Sequence, residues 1–146
     1  VPYDLISKSL PTVEGAVNDI LAQVVDFSIV FTMNGKDIDT HIVYDDDRIW
    51  SLELSSGMER FISSLAIRIG LMNVSNLPQG NFLAIDEGWG TMDSDNLNSV
   101  AQLFQYLKSQ FQFTFVVSHI ETMRDFVDTL LEIKKIDGSS SVRFSR

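Results

Sequence analysis

Residues 81–87, which read Asn-Phe-Leu-Ala-Ile-Asp-Glu, constrain the fold of this chain more than any other stretch. The short apolar run of residues 82–85 follows the turn-forming residues 78–80 and predicts a strand buried on both faces of a parallel sheet. Because an unpaired carboxylate is costly in a dry sheet, Asp86 and Glu87 must stand where that strand has just emerged. Open α/β sheets bind their ligands at this carboxyl edge, so the sequence predicts a functional site there.

Two adjacent carboxylates at such an edge suit a magnesium ion and a water molecule. One carboxylate would hold Mg²⁺ through its coordination shell, and the other would polarise a nucleophile. The alternative is a strand that ends in a solvated acidic turn. The dipeptide alone leaves both interpretations open.

Composition limits the kinds of partner that the chain can bind. With 146 residues, 45% of them hydrophobic, the chain is long enough for one domain or lobe with a real core. Its net charge of −9 excludes nucleic-acid binding by bulk electrostatics, which requires clustered Lys and Arg. The chain has no cysteine, and this excludes disulfides and thiolate metal sites.

The first residues and the longest apolar runs of the sequence indicate where in the cell the protein is located. The first residues lack the basic segment and apolar core of a signal peptide, and no apolar run is long enough to cross a membrane. We therefore expect an intracellular protein, cytoplasmic or nuclear, without a membrane partner. Since the chain begins at Val1, we also expect it to be part of a longer protein.

The N-terminal third predicts a helix followed by antiparallel strands. Apolar spacing predicts a helix over residues 3–24, interrupted near Pro11 and capped there by Ser9. Alternating polar and apolar residues over 25–54 predict a hairpin and a further short strand, with residues 34–35 (Asn-Gly) as its turn.

From residue 81 onward, strands alternate with helices, which favours a parallel sheet flanked by helices. Apolar residues at helical spacing predict one buried stripe over residues 58–69 and another over residues 97–107. Ser56 and Gly57 open a helix whose uncovered first turn suits an anion. The alternative is an ordinary capping box between Ser56 and Glu59. A second buried strand, residues 113–117, ends in Ser118 and His119.

Three polar points therefore follow the ends of predicted elements: residues 56–57, residues 86–87 and residues 118–119. We expect them to share one edge of the same sheet. The fold class that follows is α/β: a mainly parallel sheet flanked by helices, with an N-terminal helix and antiparallel hairpin.

The order of these motifs resembles the C-terminal lobe of SMC-type ABC ATPase heads, most nearly the double-strand-break repair ATPases of the SbcC kind. The resemblance runs from about Leu54 to the C-terminus. It implies a single lobe over residues 1–146. Residues 1–24 would lead out of a coiled coil, residues 25–54 would form the antiparallel strands, and residues 55–146 would carry the ATPase motifs.

The resemblance assigns roles within one head to four positions. Asp86 matches the Walker B aspartate that supports Mg²⁺, and Glu87 matches the base that aligns the attacking water. Asp93 ends the match to the D-loop, which crosses the interface of a head dimer. His119 matches the switch histidine that contacts the γ-phosphate of ATP.

The resemblance assigns a role in trans to the opening of the predicted helix. Ser56 and Gly57 match the signature motif, which binds the γ-phosphate of ATP held by the second head. Met58 stands where the family often has glycine, and an alternative register would use Ser55 as well. We prefer Ser56 as the signature serine because Glu59 then falls into its family position.

One family motif is absent from the sequence. No G-x-x-x-x-G-K-[ST] loop occurs, so the residues that cradle the phosphates must come from elsewhere. The resemblance implies ATP and Mg²⁺ as cofactors, and it implies that this chain alone cannot hydrolyse ATP. It further implies several partners: an N-terminal P-loop lobe of the same protein, a second head, an SbcD-type nuclease, and DNA bound through the assembled complex.

Two other functions remain open at this stage. A chromosome-organising SMC head would use the same residues without a nuclease, and it would carry a hinge domain at the far end of its coiled coil. A degenerate lobe would serve only as an interaction module. Glu87 and His119 argue against the second alternative, since a site without catalysis has no reason to keep a base.

Overall fold

A computed structural model describes residues 2–45, 47–76, 78, 80–86 and 97–145 of the chain. Within these residues the α-helices are α1 (Pro2–Leu21), α2 (Gly57–Val74) and α3 (Leu97–Gln110). The strands are β1 (Ser28–Asn34), β2 (Asp37–Asp45), β3 (Arg48–Ser51), β4 (Phe82–Asp86), β5 (Phe113–Val117), β6 (Leu130–Ile136) and β7 (Ser139–Ser145). Short 3-10 helices span Leu52–Leu54 and Glu121–Phe126. None of the described helices combines the length and apolar character that a membrane crossing requires.

The described strands form three separate sheets, and the α/β class predicted from the sequence is confirmed. Strands β1, β2 and β3 form an antiparallel sheet, β4 and β5 form a parallel pair, and β6 and β7 form an antiparallel hairpin. Parallel pairing is therefore limited to β4 and β5 in the described part of the chain. The β6–β7 hairpin has to be antiparallel because only Asp137 and Gly138, both at positive φ, separate its strands.

Helix α1 is continuous, and the predicted interruption near Pro11 is wrong. A proline inside a helix removes one backbone hydrogen bond and usually breaks or kinks it. Here Pro11 is exposed, so water can reach the carbonyl that loses its partner. Ser9 does not cap a second helix; its hydroxyl donates to the Leu5 carbonyl oxygen at 2.9 Å, within α1.

The first hairpin is present, but its turn lies one residue later than the sequence predicted. Asn34 pairs with Asp37, which leaves Gly35 and Lys36 as the two turn residues. Gly35 has φ +64°. Glycine at the first central position with positive φ is the requirement of a type II′ turn, which matches the twist of the two strands.

The core lies between α1, α2, α3 and the inner faces of the sheets. The predicted apolar stripes of α2 and α3 are confirmed, because their buried side chains form one cluster with the end of α1 and with the sheets. The largest fully buried side chains of this core are Val17, Leu21, Val24, Ile29, Ile42, Ile62, Ile69, Val100, Leu103 and Leu107.

Helix α1 also closes the free edge of the antiparallel sheet. The Asn18 side chain accepts from the Ile29 N–H at 2.8 Å and donates to the Ile29 carbonyl at 2.9 Å. Glu14 accepts from the Phe31 N–H at 2.8 Å. An edge strand otherwise presents unpaired backbone groups, so these side chains fix β1 against α1.

The parallel pair has one covered face and one bare face, so the expectation of burial on both sides is wrong for this chain. Ile85 on the covered face is buried. On the other face Phe82, Phe113 and Phe115 are 64%, 59% and 43% exposed. The Phe113 and Phe115 rings stack with their centroids 6.5 Å apart. Parallel sheets are normally covered on both faces, but none of the elements that the structure describes covers this surface.

Helices α1 and α2 pack closely at Gly70, so we expect alanine there to have the opposite effect to alanine at Gly15. A Cβ on Gly70 would lie 2.7 Å from Val17 Cγ2 and 3.3 Å from the Val17 backbone nitrogen. Gly70→Ala should therefore lower the free energy of unfolding by about 1–2 kcal/mol, since overpacking outweighs the gain in helix propensity.

Gly15 in α1 provides the matched control, because a Cβ there meets nothing within 4 Å. Gly15→Ala should raise the free energy of unfolding by about 0.5–1 kcal/mol. Denaturant unfolding of both variants measures the two effects. A Gly70→Ala protein as stable as Gly15→Ala would show that the two helices do not meet closely at Gly70.

Candidate functional site

The carboxyl ends of β4 and β5 lie side by side, as the sequence predicted. Asp86, the last residue of β4, pairs with Val117, the last residue of β5, in parallel register. Ser118 and His119 follow directly, and the Ser118 Oγ accepts from the Ile120 N–H at 3.1 Å. Asp86 and His119 are both exposed. One end of the parallel pair therefore carries a carboxylate and an imidazole on neighbouring strands.

Glu87 and Asp93, the other two residues expected at this end, lie outside the described residues. Among the residues that are described, no group of three or more His, Cys, Asp or Glu side chains is arranged to hold a metal ion. A single exposed carboxylate at Asp86 still suits Mg²⁺. This ion keeps several waters and usually takes one or two carboxylates together with substrate phosphates.

The start of α2 follows a different sheet from Asp86 and His119. Ser56 and Gly57 come after β3, the last strand of the antiparallel sheet. Asp86 is the last residue of β4, and His119 lies two residues beyond β5, so both belong to the end of the parallel pair. The expectation that all three polar points share one edge of a single sheet is therefore corrected. The sequence pattern did not reveal that β3 and β4 belong to different sheets.

Ser56 begins α2 with a complete capping box. Its hydroxyl oxygen accepts from the Glu59 N–H at 3.2 Å, and Glu59 Oε2 accepts from the Ser56 N–H at 2.6 Å. A serine hydroxyl has a single donor proton, and the Ser56 side chain also hydrogen-bonds to the Glu59 carboxylate. Ser56 is exposed.

Two backbone N–H groups at the start of α2 lack a partner in the described part of the chain, those of Gly57 and Met58. Both belong to the first turn, where backbone N–H groups have no partner inside the helix. Met58 is buried, whereas Gly57 is partly exposed, so the Gly57 N–H is the donor that suits an anion such as a phosphate oxygen.

Ser55 is engaged elsewhere. It is buried, and its hydroxyl donates to the Leu52 carbonyl oxygen at 2.6 Å. Its backbone N–H bonds to the same oxygen at 3.2 Å. The side chain thus closes the preceding 3-10 turn and holds the chain in the direction from which α2 starts.

Met58 stands at a position where the resembled family often has glycine. The residue is only 3% exposed and packs in the core cluster. Since the whole residue is buried, its backbone N–H is shielded together with the side chain, which anchors the first turn from inside.

The geometry reveals a contact to Glu59 that the sequence did not predict. Tyr44 on β2 donates its hydroxyl proton to Glu59 Oε1 at 2.7 Å. Burial raises the pKa of Tyr44 well above its usual value, and the Glu59 carboxylate adds to the effect. Burial would raise the pKa of Glu59 as well, but hydrogen bonds from Tyr44 and Ser56 outweigh it and hold this pKa below its ordinary value. Glu59 is therefore a carboxylate that connects β2 with the start of α2.

A cleft of about 470 Å³ lies beside the first turns of α2 and α3. Its walls include Asp26, Tyr44 and Glu59, and polar side chains from the start of α3 line the opposite side. Two carboxylates in one cleft disfavour an anionic ligand. A phosphate is better accommodated by the exposed start of α2 than by this cleft.

Comparison with known proteins finds relatives by sequence and a well-matched fold. No family model matches the chain. The chain is 34% identical to the uncharacterized protein R555 of Acanthamoeba polyphaga mimivirus, over 97% of its own length and 12% of that protein's. It is 30% identical to the SbcC component of the nuclease SbcCD of Staphylococcus aureus, over 78% of its own length and 12% of that protein's.

The fold comparison covers nearly the whole chain. A structure from work on ATP-driven dimerization and DNA-stimulated activation of SMC ATPases superimposes with a TM-score of 0.77, covering 98% of this chain and 89% of that one. Their sequences are only 16% identical, so this match establishes the fold. The chain spans about 12% of the length of the two relatives named above. By sequence and by fold, it belongs to the SMC/SbcC-type ATPases as the C-terminal lobe of a head.

Proposed function

We propose that this chain supplies half of an ATP-hydrolysing site in the head of a DNA repair or recombination ATPase. The observation that carries the proposal is the end of the parallel pair. Asp86 and His119 are exposed there on neighbouring strands, beside a sheet face that none of the described elements covers. The relation to a component of the SbcCD nuclease favours this head over a chromosome-organising SMC head.

Three residues of the chain would act in cis, and a fourth would lie between the heads. Asp86 would hold Mg²⁺ through its coordination shell, and the ion would neutralise charge on the phosphates when bound. Glu87 would accept a hydrogen bond from the attacking water and align it, and His119 would donate to the γ-phosphate. Asp93 would lie at the contact between two heads.

The start of α2 would act in trans, on ATP held by the second head. The Ser56 side chain and the Gly57 N–H would meet the γ-phosphate of that ATP at the exposed start of the helix. Ser55 would support this turn from behind and leave the ligand contact to Ser56. Phosphoryl transfer depends chiefly on positioning and charge stabilisation, and fixed backbone donors provide both.

The missing half of the site would come from an N-terminal P-loop lobe of the same protein. Its sheet would extend the parallel pair and cover the aromatic face formed by Phe82, Phe113 and Phe115. Burying these rings would contribute about 25 cal/mol for each Å² of apolar surface removed from water. The assembled head would then close on a second head around ATP and control access of DNA to an SbcD-type nuclease.

A charge on the bare face should prevent assembly with the P-loop lobe. Phe115→Asp should lower the affinity for that lobe by at least about a hundredfold, since burial of an unpaired carboxylate costs several kcal/mol. Titration of the P-loop lobe with this chain, followed by calorimetry, measures the effect.

Ile38 offers a matched control, because Ile38 and Phe115 are both 43% exposed while Ile38 lies on the antiparallel sheet. Ile38→Asp should leave the affinity unchanged. Equal binding by Phe115→Asp and Ile38→Asp would show that the P-loop lobe does not cover the aromatic face.

Substitutions at the cis and trans residues should separate hydrolysis from head dimerisation. In the assembled head, Glu87→Gln should lower the rate of ATP hydrolysis by about a hundredfold or more and keep ATP-dependent dimers, because only the alignment of water is lost. Ser56→Arg should abolish the ATP-dependent dimer, since a large side chain would fill the phosphate position. Light scattering with and without ATP reports dimerisation, and phosphate release reports hydrolysis. Normal hydrolysis in both variants would refute the proposed roles.

A further inference from the structure

We propose that Tyr44 is a positioning residue for the phosphate-binding start of α2. It would act by fixing the Glu59 carboxylate that in turn fixes the backbone of Ser56. This inference rests on the trans role of Ser56 proposed above. Tyr44 lies on the antiparallel sheet and outside the ATPase motifs. The proposal adds it to the residues that determine the geometry of the site.

The geometry that points to Tyr44 is a continuous set of short hydrogen bonds. The Tyr44 hydroxyl donates to Glu59 Oε1 at 2.7 Å, and the Ser56 N–H donates to Glu59 Oε2 at 2.6 Å. Each oxygen of the carboxylate thus holds one partner. An ordinary capping box holds its glutamate by one bond to the N-cap N–H, and here a second bond also fixes the carboxylate to β2.

The tyrosine ring is itself held on several sides. It stacks on Trp50 with ring centroids 5.2 Å apart and meets Phe27 at 5.4 Å. The Arg48 guanidinium lies over the same ring, 5.3 Å from its centroid. Because these contacts hold the ring, the hydroxyl position is set by the sheet and not by a mobile side chain.

Fixing the carboxylate matters because Glu59 also determines which N–H groups remain for a ligand. While Glu59 accepts from the Ser56 N–H, the first turn keeps its orientation and leaves the Gly57 N–H open. A glutamate that rotated freely would place its negative charge near this donor for part of the time. That charge would repel the γ-phosphate of the second head.

Tyr44→Phe in the assembled head tests the proposal, because it removes only the hydroxyl and keeps the aromatic contacts. The rate constant kcat should fall by about tenfold, the size expected for loss of one hydrogen bond to a charged group. The affinity of an undimerised head for ATP should stay unchanged, since Ser56 contacts only the nucleotide of the other head. Tyr106→Phe is the matched control, because Tyr106 bonds to Asn73 near the opposite end of α2.

Mixed dimers distinguish positioning in trans from a general loss of stability. In the first mixture, one head carries Tyr44→Phe and Glu87→Gln together and its partner is unchanged. The one site that keeps Glu87 then faces the altered α2, and its hydrolysis should be about tenfold slower than with Glu87→Gln alone. In the second mixture the two substitutions are on opposite heads. The site that keeps Glu87 then faces an unaltered α2, and its rate should be unchanged.

The outcomes distinguish the role of Tyr44 from the proposed ATPase site on which it rests. Equal rates in the two mixtures, or equal losses in Tyr44→Phe and Tyr106→Phe, would overturn the role of Tyr44. If Glu87→Gln and Ser56→Arg also had no effect, the proposed ATPase site itself would fail. If those two variants behaved as expected and only Tyr44→Phe left the rate of hydrolysis unchanged, the proposed ATPase site would be retained and the role of Tyr44 rejected.

Discussion

The bare face of the β4–β5 pair is the constraint on which the rest of the structure depends. A parallel pair joined through a helix is stable when helices or further strands cover it on both sides. Here helices cover one side, and stacked aromatic rings occupy the other. The same two strands end in Asp86 and in Ser118–His119, so the polar residues stand beside the uncovered surface. A second lobe that covered the face would also reach the strand ends, and one packing requirement would assemble both the fold and the site.

A second constraint connects α1, the antiparallel sheet and the start of α2. Asn18 and Glu14 attach α1 to the edge of β1, and Tyr44 on β2 attaches the sheet to Glu59. Close packing at Gly70 joins α1 and α2 directly. A shift of α1 would therefore reach the start of α2 by two routes. In the proposed head, this arrangement would couple a coiled coil leading into α1 to the nucleotide held by a second head.

Sequence patterns predicted the features that depend on residue spacing along the chain. They missed the features that depend on contacts with distant residues or with another lobe. The capping box at Ser56, the apolar stripes of α2 and α3 and the parallel pairing that ends at Asp86 follow from residue spacing, and all are present. Burial of β4 on both faces was wrong because an apolar strand has the same pattern whether its cover is in the chain or in a partner. The Tyr44–Glu59 bond, between residues 15 positions apart, leaves no periodic signal. Tyr44 could have been found only as a tyrosine on the inward side of β2.

Nucleotide binding by the separate lobes and by their mixture distinguishes half of an ATP site from a complete one. Isothermal titration of Mg-ATP would be carried out into this chain alone, into the P-loop lobe alone, and into the mixture of the two. The half-site account predicts no saturable binding to this chain alone, and binding by the mixture that weakens when Asp86 is replaced by Ala. Tight Mg-ATP binding by this chain without the P-loop lobe would contradict it, as would a mixture that binds no better after the two lobes associate.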